Sequence, residues 1–399
     1  MHIAIVGAGQ AGAALAARLR ALGHKGPVTL IGAEPAAPYQ RPPLSKAYLL
    51  GDMPLDRLLL RAPEFWAAQD IRLVTGVAVT ALDPVAQTLT MGAEVLHWDQ
   101  LALTTGAQVR RLPAAMGGDL AGVHYVRTLA DVDGMAPEFT AGRRVLIVGG
   151  GYIGLEAAAV AAKKGLHVTL VEAAQRILQR VAAAETASWF RDLHMKNGVE
   201  LIEGVSLFRL TGQGGVTGAD LADGRHIPCD FAIVGVGILP DTALAGAAGL
   251  VLDNGIAVDA QGRTSAPQIW AAGDCASFPY RGGRLRLESV PNAIDMADCV
   301  AANILGGGTA YVPKPWFWSD QYEVKLQIAG LNTGYDRIVV RDTGTARSHW
   351  YYAGDRLLAV DAMNDPRAFM VARRLIEAGR SADPARVADP ATDLKTLMG

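Results

Sequence analysis

Ile3-Ala4-Ile5-Val6-Gly7-Ala8-Gly9-Gln10-Ala11-Gly12 is the stretch that decides the fold. Its apolar start reads as a buried strand, its three glycines as a tight turn, and the Ala-rich run 13–22 as a helix. Gly7 permits the turn, Gly9 lets the backbone approach a pyrophosphate, and Gly12 allows the helix to pack close to the strand. The helix N-terminus, with Ala11 in its turn, offers free N–H groups and a positive dipole end to phosphates. A second strand follows at Val28-Thr29-Leu30-Ile31, and Glu34 stands 22 residues beyond Gly12, where a carboxylate accepts ribose hydroxyls.

The same pattern returns 142 residues later as Val145-Leu146-Ile147-Val148-Gly149-Gly150-Gly151-Tyr152-Ile153-Gly154. A helix is expected over 155–164, then the strand His167-Val168-Thr169-Leu170-Val171 ending at Glu172. One such glycine pattern is weak evidence. Two, each between a strand and a helix and each with an acid at the expected distance, describe two dinucleotide cradles. Gly149, Gly151, Ile153 and Gly154 form the second, and Glu172 repels a 2′-phosphate there, which selects NAD(H) over NADP(H). Arg176 and Arg180 follow and pull the other way.

The whole chain has 399 residues, enough for two to three domains at roughly 150 each. Half of it is hydrophobic, which excludes a disordered chain, and a net charge of −2 excludes a global basic field for nucleic acid. The most apolar window, 145–162, carries four glycines and Glu156, so the cradle explains it better than a membrane span. With a strand from the first residues and no charged leader, the expected location is the cytoplasm. Cys229, Cys275 and Cys299 lie too far apart for a C-x-x-C dithiol or a Cys-rich metal site.

A third signal is Gln268-Ile269-Trp270-Ala271-Ala272-Gly273-Asp274, which resembles the second FAD fingerprint of the two-dinucleotide-binding flavoproteins. Thr104-Thr105-Gly106 and Val234-Gly235-Val236-Gly237 are similar to the crossings out of and back into the FAD domain of that superfamily. Pro38-Tyr39-Gln40-Arg41-Pro42-Pro43-Leu44-Ser45-Lys46, Leu287-Glu288-Ser289-Val290-Pro291-Asn292-Ala293 and Pro315-Trp316-Phe317-Trp318-Ser319-Asp320-Gln321 sharpen the likeness. In order and over essentially the whole chain, they resemble the oxygenase-coupled NADH-dependent ferredoxin reductases. Met296 departs from the Gln that many members carry.

The resemblance implies an α/β architecture of two Rossmann-like domains plus a smaller C-terminal α+β domain. The FAD domain would take residues 1–106 and 239–313, the NAD domain 107–238, and the C-terminal domain 314–399. It also implies FAD in the first cradle and NADH in the second. Asp274 would bind a ribityl hydroxyl, Arg41 and Arg127 the pyrophosphate or adenine side, and the Val79 backbone the adenine. Val290 would begin a helix whose N-terminus meets the N1–C2=O edge of the flavin. Lys46 would approach flavin N5 and pair with Glu156, which would point toward the nicotinamide. Trp318 would cover the ring, although Trp316-Phe317-Trp318 reads equally as core.

The missing dithiol separates this chain from disulfide-reducing relatives. Cys275, beside Asp274, reads as a small buried residue. Electrons are then expected to leave the flavin singly, to a [2Fe–2S] ferredoxin. An acidic partner of that kind wants a basic face, for which Arg281, Arg284, Arg286, Arg110, Arg111, Arg337, Arg373 and Arg374 are candidates. A reductase of rubredoxin or another small acceptor shares every motif, and an NADH-sensing flavoprotein is the alternative of another class.

Overall fold

A computed structural model describes residues 1–398. The chain divides into two compact units: residues 1–40, 54–108 and 238–315 form the first, and 41–53, 109–237 and 316–398 the second.

The first unit is built on a five-stranded parallel sheet in the order Ile269–Ala271, Gln100–Leu103, Ile3–Val6, Val28–Ile31, Ile71–Val74. Ile3–Val6 lies at its centre, with Ile3 opposite both Val28 and Gln100. Every residue of Ile3–Val6 is buried, because a parallel sheet is covered on both faces and its strands read as unbroken apolar runs. Complete burial of Ile3 and Ile5 contributes about 1.5–3 kcal/mol each. The helices Gln10–Ala21 and Val290–Ile304 pack on each other beside this sheet and share its core through Leu15, Leu19, Met296 and Val300.

The second unit repeats the plan. Its parallel sheet runs Glu200–Glu203, His167–Glu172, Arg144–Val148, Phe231–Val234, Val123–His124. The same unit holds a five-stranded antiparallel sheet, Trp316–Gln321, Val324–Gly330, Arg356–Met363, Arg347–Ala353 and Arg337–Asp342. Trp350, Tyr352 and Val360 cluster with Phe369, Val371, Ala372 and Leu375 of the helix Pro366–Glu377. Asp365 caps that helix by accepting from the Ala368 N–H at 3.0 Å, and Pro366 occupies its first turn, where a missing N–H costs nothing. The α/β class and the C-terminal α+β body therefore match expectation.

Both cradle helices begin earlier than the apolar pattern suggests, at Gln10 and Tyr152 instead of 13 and 155. The third glycine of each fingerprint already lies in the first helical turn, so the turn and the helix overlap. Among the described residues no helix is long and apolar enough to cross a membrane.

Candidate functional site

In the first cradle Gly7 has φ +112°, and a Cβ on it would stand 2.2 Å from the Thr104 carbonyl oxygen. A Cβ on Gly12 would meet the Gly7 carbonyl oxygen at 2.0 Å. Glycine is thus required at both positions, at the first for conformation and space and at the second for space. Around Gly9 there is open room, and this N-cap has no side chain to cap the helix. The first-turn N–H groups are left for a ligand, which fits a pyrophosphate. Thr104 donates to the Gly7 carbonyl at 2.8 Å and so pins the turn, a role invisible in its sequence context.

Glu34, Asp274, Val290 and Val79 belong to the same unit as this turn. Glu34 follows the second strand and accepts from the Tyr39 hydroxyl at 2.5 Å. Gly273, at φ +83°, approaches the helix so closely that a Cβ would lie 3.0 Å from the Cβ of Ala11. This brings Asp274 to the cradle, while its carbonyl accepts from Arg286 at 3.1 Å. Val290 opens its helix, whose N-cap Ser289 accepts from the Asn292 N–H at 3.3 Å. Val79, half-buried, pairs with Met91 in a separate antiparallel ribbon of the same unit.

The second cradle has the same geometry. Gly149 has φ +108° and faces the Gly235 carbonyl, and a Cβ on Gly154 would meet the Gly149 carbonyl oxygen at 2.1 Å. Gly151 is the uncapped N-cap with open space beside it, and Ile153 in the first turn is 42% exposed. Glu172 accepts from the Gly150 N–H at 2.6 Å and the Ala174 N–H at 2.7 Å. Its carboxylate is held in place by the loop itself. Arg176 gives its two terminal nitrogens to the carbonyls of Ala182 and Ala183, so it is drawn toward the chain rather than toward the Glu172 carboxylate.

One turn into the same helix lies a buried ion pair. Glu156 is 1% exposed, and its Oε2 is 2.9 Å from the Lys46 ammonium. Ser45 donates to Oε2 at 2.5 Å and Ser319 to Oε1 at 2.7 Å. Lys46 also donates to the Pro42 carbonyl at 3.2 Å. Burial pushes the Glu156 carboxyl above the usual range, and Lys46, Ser319 and Ser45 offset only part of that rise. The two serines escape a reading by spacing, since Ser45 and Ser319 lie 111 and 163 residues from Glu156.

Arg41 donates to the Arg127 carbonyl at 2.6 Å in this unit. Trp318 lies on the strand Trp316–Gln321, stacked on Trp316 with ring centroids 5.6 Å apart. The basic candidates are less free than their charge suggests. Arg284 donates to the Val258 carbonyl at 2.9 Å, Arg286 pairs with Glu288, and Arg337 donates to the Gly354 carbonyl. Arg373 pairs with Glu377 and lies over the Trp316 ring. Cys229, Cys275 and Cys299 are all unpaired, the first two buried.

Comparison with known proteins agrees with this geometry. Residues 1–297 match the pyridine nucleotide-disulphide oxidoreductase family model, and residues 316–398 match a reductase C-terminal domain. A ferredoxin–NAD(P)(+) reductase of a Sphingomonas species is 43% identical, with 99% of this chain and 97% of the relative covered. Putidaredoxin reductase of Pseudomonas putida is 40% identical over 100% of this chain and 96% of its own. The crystal structure of a covalent putidaredoxin reductase–putidaredoxin complex superposes with a TM-score of 0.96 at 40% identity, covering 100% of this chain and 98% of that one. Two glycine cradles of one plan, a reductase C-terminal domain and full-length relatives of this kind have one explanation: the chain belongs to the ferredoxin reductase family within the pyridine nucleotide-disulphide oxidoreductases.

Proposed function

We propose that this protein is an FAD-dependent NADH:ferredoxin reductase of the cytoplasm, delivering single electrons to a [2Fe–2S] ferredoxin that serves an oxygenase or a cytochrome P450. The observation that carries the reading is the pair of uncapped glycine cradles in a chain without a dithiol. FAD, when bound, accepts a hydride from reduced nicotinamide and releases the electrons one at a time.

The protein's own groups bind, orient and hold charge. The first cradle takes the FAD pyrophosphate on its helix N-terminus, with Glu34 at the ribose and Asp274 at the ribityl chain. Arg41, Arg127, Val79 and Val290 keep the roles that the family likeness implies. Residues 1–106 and 239–313 are assigned to the FAD domain, 107–238 to the NAD domain and 314–399 to the C-terminal domain, although 41–53, with Arg41 and Lys46, group with the second compact unit. Gly149, Gly151, Ile153 and Gly154 take the NADH pyrophosphate, and Glu172 its adenosine ribose. Lys46 and Glu156, on the same unit as that second cradle, are the groups that stabilise charge as the hydride leaves. Trp318 keeps its assignment as the aromatic of the redox centre.

Glu172 decides the coenzyme. NADH is expected to give a kcat/KM at least about tenfold above NADPH, since a 2′-phosphate meets a fixed carboxylate. Glu172→Ala should narrow the ratio, and equal values in the parent protein would refute the assignment.

The experiment for the function is anaerobic NADH titration of the purified yellow protein, followed by mixing with candidate [2Fe–2S] ferredoxins and timing their reduction. Cys275→Ala should reduce the ferredoxin at the parent rate, because the thiol is fully buried and burial raises its pKa away from the reactive thiolate. A variant that accepts hydride but stalls before the iron–sulfur partner would mean that sulfur carries the current.

A further inference from the structure

Glu156 does not end at Lys46. Behind its other oxygen a line of buried polar side chains runs through the second unit. Gln321 Nε2 donates to Ser319 Oγ at 3.1 Å, His194 Nε2 lies 2.8 Å from Gln321 Oε1, and the Tyr322 hydroxyl lies 3.3 Å from His194 Nδ1. Ser319, Gln321 and His194 are each 0% exposed. Strand periodicity explains part of this: Ser319 and Gln321 share the inward face of Trp316–Gln321, while Trp318 and Asp320 take the other. His194 comes from the helix Ala184–Lys196.

We propose that Ser319, Gln321 and His194 are positioning residues forming a one-way hydrogen-bond relay that holds Glu156 as a carboxylate opposite Lys46. The relay rests on the reading of Lys46 and Glu156 as the charge-holding pair of hydride transfer.

Counting protons fixes the direction. An ionised carboxylate only accepts, so the single Ser319 hydrogen points to Glu156 Oε1. Ser319 Oγ must then accept, which turns the Gln321 amide nitrogen toward it and its oxygen toward His194. His194 in turn carries its proton on Nε2 and presents a bare Nδ1 to the Tyr322 hydroxyl. Every link donates toward Glu156, and such chains polarise one another in a dry interior. The arrangement requires His194 to be neutral, and burial does depress it, to about 4. The titratable group in contact with Glu156 is Lys46, from the segment after Pro42; Tyr152, on the same helix, feels its charge, and Tyr322 faces His194. A protonated Glu156 would reverse the chain link by link and move the His194 proton to Nδ1.

The test uses the oxidised, flavin-loaded protein with isotope-labelled histidine. At neutral pH the His194 ring should give the Nε2–H tautomer by nitrogen NMR; an Nδ1–H ring overturns the relay. Infrared pH titration follows the protonated carboxyl band that disappears in Glu156→Gln. Ser319→Ala should raise its midpoint by about one to two pH units, the effect of losing one bond to a buried charge. Ser319→Thr, which keeps the hydroxyl, should return it. His194→Phe should move the midpoint the same way by a smaller step, although it touches neither Glu156 nor Lys46. Where that variant does not fold, Gln321→Leu is read identically. A remote variant that leaves the midpoint at the parent value overturns the relay, even if Ser319→Ala shifts it. These readouts need no turnover, so a protein that refuses NADH would sink the functional reading and leave the relay standing or falling by its own spectra.

Discussion

Lys46→Met will destabilise the protein by about 3–5 kcal/mol, because it strands a buried carboxylate whose ammonium partner stood 2.9 Å away. Glu156 is 1% exposed and the Lys46 side chain 15%, so solvent cannot take over the lost role. The double variant Lys46→Met/Glu156→Gln should be the more stable by about 2 kcal/mol, since no buried charge remains unpaired. The sign of the pH dependence follows from the raised Glu156 pKa. In the single variant the folded state binds its proton more readily than the unfolded chain does. The penalty is therefore largest above the folded pKa and fades as pH falls toward the ordinary glutamate range. Urea unfolding of the three proteins at two pH values measures this. Equal stability for the single and double variants would show that the pair carries no buried charge. The same single variant should lower the rate of flavin reduction by NADH about a hundredfold, read by stopped flow.

The second large effect separates the two cradles. Gly154→Ala places a Cβ 2.1 Å from the Gly149 carbonyl oxygen, and Gly12→Ala places one 2.0 Å from that of Gly7. In both cases the obstacle is backbone inside the turn proposed to grip a pyrophosphate, so the turn itself has to open. Gly154→Ala should purify with its flavin and bind NADH at least about a hundredfold more weakly, equivalent to ~2.7 kcal/mol. Gly12→Ala should purify colourless or nearly so. Flavin absorbance and equilibrium titration with NADH distinguish the outcomes. A Gly154→Ala protein with the parent affinity would remove the second cradle from the coenzyme's site.

The two glycine turns proposed as phosphate cradles were legible because such turns are local. Gly7, Gly9 and Gly12, or Gly149, Gly151 and Gly154, lie within six residues of one another, and the turn they build needs no distant partner to be recognised. The acids Glu34 and Glu172 follow from the length of one helix and one strand. Their environments did not. Tyr39 engages Glu34 and two loop N–H groups engage Glu172, contacts set by how each loop closes rather than by spacing. Arg284 and Arg286, bound to a nearby carbonyl and a nearby carboxylate, lose much of the freedom that a docking face requires.

By itself the sequence determined the two strand–turn–helix units, the order of the segments along the chain and the absence of a dithiol. Each of these depends on residues close in number or simply on composition. The Lys46–Glu156 pair was already expected from the family likeness; tertiary structure alone decided that Glu156 would be sealed from water there, with Ser45, Ser319, Gln321 and His194 arranged around it. The physical reason is desolvation. A carboxylate in a first helical turn is ordinary in water, and it becomes costly and specific only when packing from distant segments removes the water and supplies the donors.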